Sequence, residues 1–291
     1  MSRPPTSRPT APPAILIAAC TPIARLRCGP SGKGDVPAPR GQVAHPRRQA
    51  VGVEGVAERI HRWLQQRRGD AFVEQVEGAG GGDEEGTWVY ASPLRPAWST
   101  AWEAHSLSVV TEGRFEMGVG TGRPGIEDEL RDLGMPVVPP SGRLIQLRET
   151  VTMLRELDGP ALHTPVVMAV HGPKAQALAA DLADTVTFAL LPGEARADVE
   201  RRVRDFRAIR DVELSQHVAV IGDAVAPFMA PPDTDPAALR AMDSLAILPD
   251  DPVAAAEEIQ RRREELGFSY FVFGAEVSDS LAPVVAELAG T

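Results

Sequence analysis

The chain has little cysteine, no long apolar run and no excess of positive charge. Each shortage removes a class of function. Two cysteines, Cys20 and Cys28, occur in 291 residues. They cannot build a disulfide framework, and a lone pair without a His or Cys cluster is poor zinc chemistry. Both are read as structural thiols, and no metal site is expected. No apolar run approaches the ~18 residues of a membrane span. Residues 1–13 carry arginines and prolines but no apolar core before a small-residue cleavage site. No signal peptide is read, so a cytoplasmic protein without a membrane partner is expected. The net charge of −10 argues against a nucleic-acid partner. Six histidines are scattered along the chain and support no catalytic triad.

What is present divides in two. Residues 1–100 hold 13 basic against 9 acidic side chains, and the remainder 17 against 31. Ten of the 27 prolines fall in the first 50 residues, so the two parts do not read as one continuous design. Residues 30–55 are rich in Pro, Gly and Arg and show neither period 2 nor period 3.6. Residues 56–77 have helical spacing at Val56, Ile60, Trp63 and Leu64, and residues 78–86 read as a glycine-rich loop.

Regular pattern begins near residue 97. Residues 101–110 are weakly helical, and residues 114–120 alternate into a glycine-rich end. Leu144, Leu147, Val151 and Leu154 mark an amphipathic helix over 142–157, with Ser141 a candidate N-cap. Val166 to Val170 is a continuous apolar run, as in a strand buried on both faces. Pro173 opens a helix through Leu182. A strand follows over 185–191, a charged helix over 197–209 and a strand over 212–221. Pro252 opens a helix that stops at Gly267. A strand over 268–273 and a helix over 278–288 end the chain. This alternation means a parallel α/β sheet with helices outside. The pattern leaves both a closed eight-stranded barrel and an open doubly wound sheet available.

Two segments could carry chemistry. Gly118-Val-Gly-Thr-Gly-Arg-Pro-Gly125 ends a strand in glycines, which let backbone approach a ligand closely. Arg123 stands where the dinucleotide fingerprint requires its third glycine. The segment is therefore either a plain turn or a loop over a cofactor. Ala169-Val-His-Gly-Pro-Lys-Ala175 joins a strand to a helix, where free N–H groups and Lys174 favour an anion. It is equally an ordinary loop with a surface lysine. The acidic run Glu127 to Asp132 reads as a solvated helical face.

Taken together, Thr111 to Gly122, Arg123 to Gly134, the helix over 143–157, Val167 to Asp184 and Leu245 to Tyr270 resemble the luciferase-like monooxygenase superfamily, in its order. The Arg123-Pro-Gly-Ile-Glu-Asp-Glu129 loop is most similar to the branch that uses the deazaflavin coenzyme F420. The resemblance implies a (β/α)8 TIM barrel with its cofactor at the C-terminal ends of the strands. Gly120, Thr121 and Gly122 would face the ring. Ala169, Val170, His171, Gly172, Pro173 and Lys174 would hold the phosphate or its linker. The implied activity is hydride transfer between F420 and a small organic substrate, with an FMN-dependent monooxygenase as the alternative. Homodimers are frequent in the family.

The chain also departs from that family. Ile15 to Gly29 resembles its second helix leading into strand 3, yet about 84 residues separate Gly29 from Arg114. No segment matches the Asp-His pair that follows the family's second strand, and His45 and His61 sit in unpatterned surroundings. No catalytic residue is assigned, and an inactive cofactor-binding or structural relative is a further alternative. The expected organisation is an atypical segment over 1–100 and a barrel portion over 101–291. The barrel should lack its first strands and leave two sheet edges open. Residues 30 to about 100 have the composition of a GC-rich gene read partly out of frame, or of an unrelated insertion. Sequencing the coding DNA separates these. Under a frameshift an alternative frame restores strand–helix pattern, and under an insertion neither does.

Overall fold

Short apolar runs bounded by Gly, Pro and Asp become parallel strands in this protein. The computed structural model describes residues 14–18, 85–226, 230–231, 233–274 and 277–288. All of them belong to one compact unit. Cys20, Cys28, His45, His61 and the 56–77 helix expectation lie outside the described residues.

The main sheet contains β1 (Ala14–Ala18), β2 (Glu85–Gly86), β3 (Tyr90–Ala91), β4 (Phe115–Gly120), β5 (Val166–Val170), β6 (Thr185–Phe188) and β7 (Glu213–Val218). Three short strands follow, β8 (Val220–Ile221), β9 (Ala224–Val225) and β10 (Ile247–Leu248), and form a separate small sheet in the order β10-β8-β9. The last strand, β11 (Phe268–Gly274), returns to the main sheet. The main order is β1-β11-β7-β6-β5-β4, with β2 and β3 both on the far edge of β4, and every pair is parallel. A doubly wound sheet reverses its strand order at a switch point. Here the order runs without reversal from β4 to β11 and then meets β1, which is barrel winding.

Alternation along each strand separates two interiors. Phe115, Met117 and Val119 of β4, Val166, Met168 and Val170 of β5, Val186 and Phe188 of β6, and Phe271 and Phe273 of β11 face the helices in one apolar core. Leu147, Val151 and Leu154 of the Pro140–Asp158 helix and Val199, Val203 and Phe206 of the Arg196–Arg207 helix close over them. The intervening residues face the other way and include Glu116, Thr187, Ser215, His217 and Tyr270. The Tyr270 hydroxyl donates to Glu116 Oε2 at 3.0 Å. Four strand steps separate β11 from β4, and at ~4.8 Å per step a flat sheet would hold them ~19 Å apart. The sheet therefore curls until its inner face encloses a lumen.

Four expectations change. Residues 14–18 form a strand on β11, where a helix was expected; Ala14 pairs with Tyr270 and Ala18 with Gly274. A five-residue apolar run after Pro12-Pro13 suits a buried parallel strand as well as a helix end, and periodicity alone does not separate them. That strand covers an edge expected to be open, and β2 and β3 cover the edge of β4. Ser141 does not cap the Pro140–Asp158 helix, which begins earlier on Pro139 with no side-chain cap. The strand expected over 212–221 breaks after Val218, where Ala219 and Val220 both donate to the Ala246 carbonyl. Asp251, by contrast, caps the Pro252–Leu266 helix through Ala254 N–H, and Gly267 ends it at φ +80°. Among the described residues no helix is long and apolar enough to cross a membrane.

A buried ion cluster fixes this last part of the chain. Arg262, 1% exposed, donates to Glu258 Oε1 at 2.6 Å and to the Leu245 and Ile247 carbonyls at 2.7 Å each. Arg196 also donates to Glu258, at 2.8 Å. Burial alone would raise the Glu258 carboxyl, but the charge of Arg262 and hydrogen bonds from Arg196, Arg262 and Arg261 outweigh it and hold its pKa at about 2. A folded pKa below the ordinary 4.5 contributes stability above pH 4.5 that is lost as pH falls towards 2. Glu258→Gln should cost about 3 kcal/mol at pH 7, because it leaves the Arg262 charge buried without its partner. It should also flatten the acid limb of the stability curve. Urea midpoints at neutral and acid pH check both.

Candidate cofactor site at the strand ends

One inward row crosses the strands, from the C-terminal end of β4 to the first half of β11. Register places Gly120 beside Ala169, Ala169 beside Thr187, Thr187 beside Ser215 and Ser215 beside Tyr270. The row opens with two residues that have little or no side chain, continues with two hydroxyls and ends in a phenol. Trp88 lies against Tyr270 with ring centroids 6.2 Å apart.

Close backbone approach explains one glycine of β4 and one in the loop after it. A Cβ on Gly118 would lie 1.8 Å from the Thr87 carbonyl oxygen. Thr87 Oγ1 also bonds both the N–H and the carbonyl of Gly118, at 3.0 Å each. Gly122 has φ +88°, and a Cβ there would lie 2.9 Å from Ile126. The loop is then held from below by Arg143, which is buried. One of its nitrogens donates to the Thr121 carbonyl at 3.0 Å and another to Glu127. Hydrogen bonding to its own backbone and the Arg143 charge lower the Glu127 carboxyl, against a smaller contrary effect of burial. The acidic run around Glu127 is a helix, Ile126–Asp132, with Ile126 and Leu130 buried.

The segment after β5 is arranged differently. Gly172 precedes the Pro173–Leu182 helix in extended backbone, and the His171 carbonyl accepts from Gln176 Nε2 at 3.1 Å. The His171 and Lys174 side chains are exposed. His171, Pro173 and Gln176 line a cavity of about 250 Å³ together with Asp198, Arg201, Arg202 and Asp205. Arg201 pairs with Asp198 at 2.7 Å, and Arg202 pairs with Glu194. Arg202 nevertheless keeps one buried guanidinium nitrogen without an acceptor.

The nine residues singled out in the sequence thus fall into two groups. Gly120, Thr121 and Gly122 follow β4, and Ala169 to Lys174 end β5 and open the next helix. The Gly120–Ala169 pairing brings the two groups together. Sequence reasoning missed Glu116, Thr187, Ser215, His217 and Tyr270. In Thr185-Val-Thr-Phe188 the signal was a polar phase opposite a fully apolar one; in β7 Gln216 interrupts the apolar phase and hides it. Burial pushes the His217 imidazole below its usual value, opposed by a hydrogen bond to the Leu190 carbonyl.

Three comparisons bear on this geometry. A family model described as luciferase-like monooxygenase matches residues 86–248. No curated protein matches the chain. Among solved structures, the coenzyme F420 dependent tetrahydromethanopterin reductase from Methanopyrus kandleri is 15% identical, with a TM-score of 0.51, over 70% of this chain and 82% of that one. An F420-dependent secondary alcohol dehydrogenase in complex with an F420-acetone adduct is 17% identical, with a TM-score of 0.50, over 84% and 85%. The EDTA monooxygenase from Chelativorans sp. BNC1 is 11% identical, with a TM-score of 0.52, over 72% and 73%. At these identities the likeness establishes the fold.

The two inward or loop glycines with contrasting surroundings give a direct check on the local packing. Gly118→Ala should cost about 2 kcal/mol, because it displaces backbone. Gly172→Ala, with nothing within 4 Å of its Cβ, should stay within about 0.5 kcal/mol. Urea denaturation of both variants compares them.

Proposed function

Because the chain belongs to the luciferase-like monooxygenase family, we propose that it is an oxidoreductase transferring hydride between coenzyme F420 and a small organic substrate. The observation that carries this reading is the pairing of two loops at the C-terminal ends of β4 and β5. Gly120 and Ala169 are register partners, so the loops that follow them adjoin. A flat ring would lie over these loops. Gly120, Thr121 and Gly122 would face it. Ala169, Val170, His171, Gly172, Pro173 and Lys174 would hold the phosphate or its linker. The adjoining cavity, where Arg201 and Arg202 stand among Asp198 and Asp205, would take the anionic tail. The bound cofactor would supply the hydride chemistry, and the protein would position it.

F420 is preferred on the Arg123 to Glu129 loop and on the likeness to two F420-dependent enzymes. The likeness to the EDTA monooxygenase favours a second reading, an FMN-dependent monooxygenase. The reading keeps the chain in the cytoplasm, with a small-molecule substrate and no nucleic-acid or membrane partner. Its macromolecular partner is a second copy of the chain. Trp98 and Trp102, 64% and 57% exposed, lie one turn apart on the Ala97–Val110 helix, and exposed aromatic surface of this kind suits such a contact.

Equilibrium binding of F420 and of FMN to the purified chain, followed by fluorescence quenching, tests this function. F420 should bind and FMN should not. Arg202→Met should weaken binding about tenfold through loss of a charge-assisted bond. Binding of FMN alone would select the second reading, and binding of neither would sink both. Light scattering on the same sample should give the mass of a dimer.

A further inference from the structure

Two buried hydroxyls in the lumen have no partner. Ser215 is 0% exposed and Thr187 3%, and neither Ser215 Oγ nor Thr187 Oγ1 makes a hydrogen bond. They are register neighbours on adjacent strands. Both lie on the inner face, since Val186, Phe188, Leu214 and Val218 of the same strands belong to the outer core. Other lumen polar groups are spoken for. Tyr270 bonds Glu116, and Thr185 bonds Glu213 at 3.1 Å. A buried hydroxyl without a partner forfeits its hydration for nothing in return, so native interiors rarely keep one. Two side by side mark a place where something else completes the bonding.

The chemistry of that missing group follows from the walls. Each hydroxyl offers one O–H donor, and together they match the two lone pairs of one oxygen. Neighbouring strand positions stand about 4.8 Å apart, so an oxygen seated between them lies ~2.8 Å from both. None of the inward residues of β4, β5, β6, β7 and β11 is Lys or Arg; of their carboxylates, Glu116 is bonded to Tyr270 and Glu213 is exposed at the start of β7. An anion would find no positive charge on those faces. A cation would find no carboxylate beside the pair in the row Gly120, Ala169, Thr187, Ser215, Tyr270.

We infer that Thr187 and Ser215 form a two-donor seat inside the barrel for one neutral carbonyl oxygen of a bound small molecule. The inference rests on the proposed function for the kind of molecule that enters. The oxygen belongs either to a carbonyl of the cofactor ring or to the substrate.

The test uses the full chain with Thr187→Val and Ser215→Ala, singly and together. Without ligand, the double variant should unfold at or above the wild-type temperature, since no bond is lost. A fall of more than about 3 °C would show that the hydroxyls hold structural bonds, a fixed water included, and would overturn the seat. Binding is then read by fluorescence quenching with F420 and FMN, and by saturation-transfer NMR with acetone as the carbonyl probe. Cofactor binding weakened about fivefold per hydroxyl assigns the oxygen to the ring. Loss of the acetone signal at unchanged cofactor affinity assigns it to the substrate. Unchanged binding throughout rejects the seat. A wild-type chain that binds neither cofactor refutes the proposed function alone if acetone binding still depends on the two hydroxyls. If acetone does not bind either, both ideas fall.

Discussion

Curling a parallel sheet gives each strand two faces with opposite demands, and the rest of this structure follows from that. The outer face must pack helices, so it takes Phe, Met, Val and Leu, with Gln216 of β7 an exception that bonds the Leu245 carbonyl. The inner face has no helices to pack and a fixed small radius, so its residues meet across the lumen. The hydrogen bond from Tyr270 to Glu116 is the visible result, joining strands four steps apart.

Polar anchoring of a different kind keeps the ends of the sheet in place. Arg262 spends two of its nitrogens on the Leu245 and Ile247 carbonyls and a third on Glu258. The excursion after β7 carries β8, β9 and β10 in a separate sheet, and its return must be fixed before β11 can enter the barrel. A buried cation that satisfies two backbone carbonyls does this with direction, which apolar packing lacks. Arg143 does the same for the loop after β4 through the Thr121 carbonyl. In both places an arginine from a helix holds an irregular segment by its backbone.

The helices and long strands were legible because their signals are local. Pro173, Pro252 and Gly267 punctuate the chain, and apolar spacing at Leu147, Val151 and Leu154 names a helix face. Residues 14–18 were misread because five apolar residues carry no period, and only pairing with β11 decides their state. Residues 85–96 showed no pattern, yet they hold two short strands and a single turn of 3-10 helix. Elements of two or three residues are made by their neighbours, here by β4, and leave no trace of their own. The glycine loops of the candidate site were visible as composition. The lumen residues were not, because a polar residue on a strand reads as solvent-facing until curvature shows that both faces are inside.

Charge is distributed so that the two parts of the candidate site suit different portions of one ligand. The cavity beside the loop after β5 is lined by Arg201 and Arg202 as well as by Asp198 and Asp205. The inward faces of β4 to β7 and β11 carry no lysine or arginine. A molecule with an anionic tail and a neutral, carbonyl-bearing head would therefore find guanidinium groups at the cavity and none on those strand faces. Reversal would set the anion where these strands offer it no positive charge. Orientation in this barrel then comes from where positive charge has been left out as much as from where it has been placed.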